Sequence, residues 1–265
     1  MTASPRVWHY GLMAEYWSEF KTEAPEAPFF TACVERSGQP VLDLGCGTGR
    51  VLLPLLRAGI NIDGCDISAD MIRLARQAAT REGFTPNFYC QPMHELEIPR
   101  RYRMIYICGS FGLGGGRDND LETLRRCHAH LEPGGVLVFN VQMEYAWREA
   151  WEAWLSESRS KMPEPWPDRG PPRVAKDGSQ HFMQIRVLDV NALEQTYSRE
   201  VRLEKWIADK LVVSEDYVLH GNLYLKQELM LMLRAAGFKE AVVRGNYTDV
   251  EATPEHGELV FTAIR

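Results

Sequence analysis

Short apolar runs alternate with segments of helical periodicity through the first half of the chain. The runs predict β-strands over residues 40–44, 60–65, 87–91, 104–108 and 136–140. The segments between them repeat apolar residues at three and four positions, which predicts helices over 50–58, 68–82 and 119–130. Strands that alternate with helices are typical of βαβ units, so this region predicts a doubly wound, mostly parallel sheet of an α/β fold.

The pattern changes after residue 141. Residues 145–161 read as one amphipathic helix with Trp147, Trp151 and Trp154 on a broad face, and the five prolines of 163–172 exclude regular structure there. Alternating apolar and polar positions over 181–219 predict three antiparallel strands. A helix over 226–236 and strands near 241–244 and 259–264 then complete a seven-stranded, Rossmann-like sheet with an antiparallel β cap inserted after its fifth strand.

This reading divides the chain into three parts. Residues 1–38, with helices over 8–20 and 26–36, form an N-terminal helical lid. Residues 39–141 and 224–265 form the ligand-binding domain, and residues 142–223 form the inserted cap. The cap is expected to face the substrate or to form the interface of a homodimer. Its tryptophans are expected to lie in a core or in a subunit interface rather than to bind a flat ring of a ligand.

Composition excludes several function classes. A net charge of −6 argues against a nucleic-acid partner. No apolar run reaches about 18 residues and no signal-peptide pattern opens the chain, so we expect no membrane partner and a cytoplasmic location. The six cysteines form no C-x-x-C pair, which predicts free thiols and no metal site.

A glycine-rich loop, D-L-G-C-G-T-G at 43–49, follows the first predicted parallel strand. No lysine follows Gly49, which excludes a phosphate-binding Walker loop. The dinucleotide fingerprint G-x-G-x-x-G would need a glycine where the chain has Arg50. Asp43 before the glycines would repel a pyrophosphate and favours a cationic or amine group on the ligand.

Together with two further segments, this loop resembles class I S-adenosylmethionine-dependent methyltransferases. The segments are G-C-D at 64–66 and L-E-P-G-G-V-L at 131–137, and the resemblance spans roughly residues 41–140. It implies S-adenosylmethionine as cofactor, with Asp43 at the methionyl ammonium and Asp66 at both ribose hydroxyls. It further implies cofactor contacts for Tyr16, Gly45, Cys46, Gly47, Gly49, Ile67, Met71, Gln91, Met93, Cys108 and Gly109.

One position departs from the family pattern. Many relatives have G-D-M after the third strand, with the aspartate at the adenine amino group, whereas this chain has Gln91, Pro92 and Met93. Met93 can still pack on the adenine face. The amino group is then expected to meet Gln91, Glu95 or water.

The acceptor is expected beyond the carboxyl ends of the fourth and fifth strands, under the cap. The expected contacts are Ser110, Phe111, Asn140, Gln142 and, in the cap region, Tyr224. An amine acceptor needs only to lose a proton, whereas a hydroxyl acceptor usually needs a base. The candidates for that role are His9, Tyr10 and His181.

These observations support a methyltransferase acting on N or O of a small molecule. A protein that binds S-adenosylmethionine without methyl transfer is the alternative. A nicotinamide oxidoreductase is disfavoured by Arg50.

Overall fold

The computed structural model describes residues 6–143 and 146–265. Within them the strands, in chain order, are β1 (Arg6–Val7), β2 (Val41–Leu44), β3 (Ile62–Asp66), β4 (Phe88–Cys90), β5 (Tyr102–Ile107), β6 (Leu131–Gln142), β7 (Arg173–Val174), β8 (Gln180–Asn191), β9 (Thr196–Ile207), β10 (Lys210–Asn222), β11 (Glu240–Gly245) and β12 (Glu258–Ile264). The helices are α1 (Leu12–Phe20), α2 (Ala27–Ser37), α3 (Leu52–Arg57), α4 (Ala69–Arg81), α5 (Arg117–His130), α6 (Arg148–Glu152), α7 (Ser156–Arg159) and α8 (Lys226–Ala235).

Seven strands form one sheet in the order β11-β12-β6-β5-β2-β3-β4. Only β12 runs opposite to the other six strands, so the predicted mostly parallel α/β fold is confirmed. Buried apolar clusters lie on both faces of the sheet, which explains why its strands are continuous apolar runs. The strand order reverses between β2 and β5, and the carboxyl ends of strands at such a point border a ligand crevice.

The inserted cap is a second sheet in the order β1-β10-β9-β8-β7. Three long antiparallel strands were expected, and β8, β9 and β10 confirm them. The two outer strands of two residues each were not predicted, because pairs as short as Arg6–Val7 carry no alternating pattern. Residues of β1 pair in parallel with Tyr217 and Val218, so the start of the chain belongs to the cap.

The expected single helix over 145–161 is wrong. The described part of this segment contains the short helices α6 and α7, separated by an extended Leu155 (ψ 143°). Trp151 and Leu155 remain 54% and 52% exposed, so no core face holds one long helix together. Trp147 is exposed as well, so this tryptophan-bearing segment does not form part of the buried core. Its role as a dimer interface stays a prediction.

Helix α1 packs on the inner face of the cap sheet. Its Leu12, Met13 and Tyr16 form one buried cluster with residues of β9 and β10. The backbone N–H of Leu12 donates to Glu215 Oε2 (2.8 Å), and that of Met13 donates to the Tyr217 hydroxyl (3.0 Å). The N–H of Gly11 donates to Asp70 Oδ2 at the start of α4 (3.0 Å). The segment 8–13 therefore bridges the cap and the parallel sheet, directly above the crevice.

Candidate active site

The glycine loop turns sharply where β2 ends. Gly45, Gly47 and Gly49 have φ values of 82°, 53° and 88°, which side chains other than glycine rarely adopt. A Cβ atom on Gly45 would also collide with Ser110 Oγ and Met93 Cε. The loop therefore lets the backbone come close to whatever lies beside these two side chains.

Asp66 ends β3 and is held by two backbone groups. Its Oδ2 accepts from Gly47 N–H and its Oδ1 from Ser68 N–H, both at 2.8 Å. Burial raises the pKa of this carboxyl, while both hydrogen bonds and the nearby His9 ring oppose that shift. Ser68 is also the N-cap of α4, since its Oγ accepts from Met71 N–H (3.2 Å). Each Asp66 oxygen has a fixed direction and keeps a lone pair for a ligand hydroxyl.

Asp43 lies inside β2 and is only 2% exposed. Burial raises its pKa to about 7, against the opposing effects of the Tyr106 hydroxyl and the Arg50 guanidinium. Arg50 is itself paired with Glu26 (2.6 Å), so it does not neutralise Asp43 alone. A cation placed beside Asp43 would favour its ionised form.

A cavity of about 380 Å³ lies over the loop. The expected cofactor positions that line it are Asp43, Gly45, Cys46, Gly47, Asp66, Met71, Cys108 and Gly109, together with the expected acceptor residues Ser110 and Gln142. Residues that the sequence did not point to include Trp8, Trp17, Arg50, Leu113, Tyr197 and Arg199. His9, a predicted base, also lines the cavity.

A smaller cavity of about 90 Å³ continues from it past Asp66. Ile67 and Met93 line this space, as expected for residues that flank a flat ring. Gln91 does not line it: its side-chain amide forms two hydrogen bonds with the backbone of Glu97 (3.1 and 3.0 Å). The Ser110 hydroxyl lines both cavities and is buried without a partner in the described structure, so it is free to bond a ligand.

A third cavity, of about 260 Å³, lies between the carboxyl end of β6 and the cap. Four of the expected acceptor residues, Phe111, Asn140, Gln142 and Tyr224, line it. It shares with the cavity over the loop the lining residues Gly109, Leu113, Gln142, Tyr197 and Arg199, so the two spaces adjoin. Glu258 at the start of β12 also faces it.

Several expected site residues lie outside these three cavities. Tyr16 of α1 packs on His181 of the cap, with ring centroids 6.1 Å apart. His181 is 4% exposed, its Nε2 lies 3.1 Å from Ser179 Oγ, and burial lowers its pKa. The Tyr10 hydroxyl donates to the Ile67 carbonyl (3.3 Å), and Gly49 faces Leu53 and Ala75 of neighbouring helices.

His9 is the base candidate that the structure brings to the crevice. Ser68 Oγ donates to its backbone carbonyl and fixes the segment there. Burial lowers the pKa of its imidazole, although Asp66 opposes the shift. A lowered pKa keeps the ring neutral, as a base must be.

In the described residues no group of three or more His, Cys, Asp or Glu is placed to hold a metal ion. All six cysteines are free thiols. Among the helices of the described ranges, none is long and apolar enough to cross a membrane.

Comparison with known proteins agrees with this geometry. Residues 41–135, which include both the glycine loop and Asp66, match the family model described as a methyltransferase domain. The match covers about a third of the chain and agrees with the class I S-adenosylmethionine-dependent methyltransferases that the glycine loop resembles.

Relatives of the methyltransferase domain were found by sequence and by structure. A provisionally named methyltransferase of Geobacillus sp. strain WCH70 is 31% identical over 106 residues, which is 40% of this chain and 43% of that protein. A methyltransferase structure from Clostridium acetobutylicum has a TM-score of 0.72 at 16% identity, covering 96% of this chain and 97% of its own. The sugar N-methyltransferase of Streptoalloteichus sp. has a TM-score of 0.72 at 19% identity, covering 100% and 96%. These structural likenesses concern the fold, including the cap.

Proposed function

We propose that the protein transfers a methyl group from S-adenosylmethionine to a nitrogen or oxygen atom of a small molecule. One observation carries this proposal. The cavity over the glycine loop adjoins the cavity beneath the cap, and Gly109, Gln142 and Tyr197 line both. A methyl donor in the first space and an acceptor in the second would meet at these residues.

The residues of the first two cavities suit this cofactor. Asp66 directs two carboxylate oxygens toward a ribose, and Asp43 is buried where a methionyl ammonium would ionise it. Ile67 and Met93 line the space for the adenine, and the unpartnered Ser110 hydroxyl supplies a further hydrogen bond. Bound here, S-adenosylmethionine would supply an activated methyl group on a positively charged sulfur.

The size of the third cavity favours a small acceptor. A cavity of about 260 Å³ lies just below the usual range for ligand pockets, about 300–1,000 Å³. The fold shared with a sugar N-methyltransferase over nearly the whole chain supports an acceptor of this size. The net charge of −6 also disfavours nucleic acid as acceptor.

In this proposal the protein acts mainly by positioning and by excluding water. The cap and the segment 8–13 cover the crevice, and the hydrogen bonds of Gly11, Leu12 and Met13 hold that segment closed. For a hydroxyl acceptor, the base candidate is the His9 ring, which lines the cofactor cavity and whose pKa is lowered by burial.

Calorimetric titration with S-adenosylmethionine tests the cofactor assignment. Asp66→Ala should weaken binding by about 1–3 kcal/mol, because two charge-assisted hydrogen bonds to ribose are lost. Asp168→Ala, which removes an exposed aspartate outside the three cavities, is the matched control and should bind as the wild type does. Absence of binding to the wild type at millimolar cofactor would contradict the proposal.

A protein that only binds the cofactor is the competing function. Mass spectrometry distinguishes the two by following S-adenosylhomocysteine formation with a panel of small amines and alcohols. Tight cofactor binding without product from any acceptor would favour the binding protein.

A further inference from the structure

The third cavity, which the proposed function assigns to the acceptor, is called the acceptor cavity here. Its lining has one carboxyl group, that of Glu258. The Asn140 side-chain N–H donates to Glu258 Oε1, while Asn140 Oδ1 accepts from Gly109 N–H (2.7 Å). Because the backbone N–H of Gly109 can only donate, the Asn140 oxygen must face it, and the amide of Asn140 is fixed in one orientation. Glu258 is thereby held rigidly against the wall of the cavity.

Glu258 also lies close to the passage between the two large cavities. It pairs with Gln142 in the register of β12 and β6, and Gln142 lines both cavities. Asn140 connects it to Gly109, which lines both as well. A group bound by Glu258 would therefore sit beside the entrance to the cofactor cavity.

The charge of Glu258 is not balanced locally. Across the described residues, no lysine, arginine or histidine forms an ion pair with it. Burial raises its pKa, and the Glu26 carboxylate adds to that shift. The groups that oppose the shift are the Asn140 amide, the Tyr247 hydroxyl and the Arg50 guanidinium.

A partly buried carboxylate without a cationic partner is costly, and a cationic ligand would remove the cost. The other polar groups in this cavity include the amides of Asn140, Gln142 and Asn222, the phenols of Tyr197 and Tyr224, and the Arg199 guanidinium. The Arg199 guanidinium lies over the Tyr197 ring, 4.7 Å from its centroid, and in the described structure it forms no ion pair with Glu258. Glu258 is the one lining group that can balance a positive charge.

Resting on the proposed function, we infer that the acceptor is an amine and that Glu258 binds its ammonium group. The carboxylate then takes one proton from the nitrogen. The electrons of that N–H bond remain on nitrogen as the lone pair that attacks the methyl group, and the proton passes from Glu258 to solvent. As the bond between nitrogen and the methyl carbon forms, the bond from that carbon to sulfur breaks, and its electron pair leaves with sulfur in S-adenosylhomocysteine. Methylation restores a positive charge on the nitrogen, which Glu258 continues to balance.

The test uses matched pairs of probes that differ in one group. Glucosamine is compared with glucose, and ethanolamine with ethylene glycol, for S-adenosylhomocysteine formation and for direct binding by saturation-transfer NMR. The first variant is Glu258→Gln, which keeps the shape of the side chain and the oxygen that accepts from Asn140. The control variant is Glu255→Gln, which removes the charge of an exposed glutamate three residues away.

We expect the amine of at least one pair to be methylated and its hydroxyl counterpart not. Glu258→Gln should raise KM for the amine about 10- to 100-fold and lower kcat, while the Kd for S-adenosylmethionine stays within about twofold. Glu255→Gln should change neither. Equal kcat/KM for both members of a pair, or an unchanged KM in Glu258→Gln, would overturn the inference.

The direct-binding measurement separates this inference from the proposed function. If cofactor binds but no probe is methylated, the proposed function is contradicted. Amine binding that is lost in Glu258→Gln would still support the ammonium site. No binding of any amine, or equal binding by both proteins, would overturn it.

Discussion

Replacing Asp43 by asparagine should stabilise the cofactor-free protein and weaken cofactor binding. Asp43 is buried, and its pKa of about 7 lies well above the ordinary value of 3.8. Between these two values the unfolded chain has lost the proton while the folded protein keeps it. Stability therefore falls as the pH rises from about 4 to about 7 and is level above that.

The magnitude follows from this difference in pKa. About three pH units correspond to about 4 kcal/mol of lost folding free energy above pH 7. Asparagine cannot ionise, so Asp43→Asn avoids this loss. At about 2–4 °C per kcal/mol, the variant should melt about 10 °C higher than the wild type at pH 8, and the two should nearly coincide at pH 4.

Differential scanning calorimetry over pH 4–8, without cofactor, measures this effect. Calorimetric titration in two buffers of different ionisation enthalpy supplies the second measurement. At pH 6 a cationic ammonium beside Asp43 should release about 0.9 proton from the wild type and none from Asp43→Asn. Equal melting temperatures at pH 8, together with binding that releases no proton, would refute the role given to Asp43.

Two further substitutions test the loop and the lid. Gly45→Ala should lower stability by about 1–3 kcal/mol and abolish measurable cofactor binding, because φ is 82° and the new Cβ meets Ser110 and Met93. Gly59→Ala, with φ 77° and open space around it, is the control that isolates the backbone strain, and equal losses in both variants would contradict the crowding argument. Ser68→Ala should lower the free energy of unfolding by about 1 kcal/mol and weaken cofactor binding, since it removes the cap of α4 and the hydrogen bond to the His9 carbonyl. Ser68→Thr should restore both stability and binding. An unchanged cofactor Kd in Ser68→Ala would argue against the contact between Ser68 and the N-terminal segment.

Local sequence signals predicted the sheet and the cofactor loop. Asp43, the glycines and Asp66 lie within one βαβ unit, so short-range spacing places them together. Ser68 could be recognised as an N-cap because capping depends only on the next three residues. The three long cap strands followed from their alternation.

The site residues that the sequence did not predict are placed by strand pairing between distant parts of the chain. Glu258 reaches the acceptor cavity only through the register that pairs it with Gln142, more than a hundred residues earlier. Tyr197 and Arg199 line the crevice because the cap sheet folds back over β6. His181 was expected near the acceptor, yet its strand turns it toward Tyr16 and Phe20 of α1.

The position of the sulfur in a bound product most directly tests the central claim that two adjoining cavities bring donor and acceptor together. A crystal structure with S-adenosylhomocysteine would show it. We expect the ribose hydroxyls at Asp66 and the sulfur facing the space bordered by Gly109, Tyr197 and Glu258. A sulfur that faces away from that space, or a ribose that does not contact Asp66, would contradict the claim.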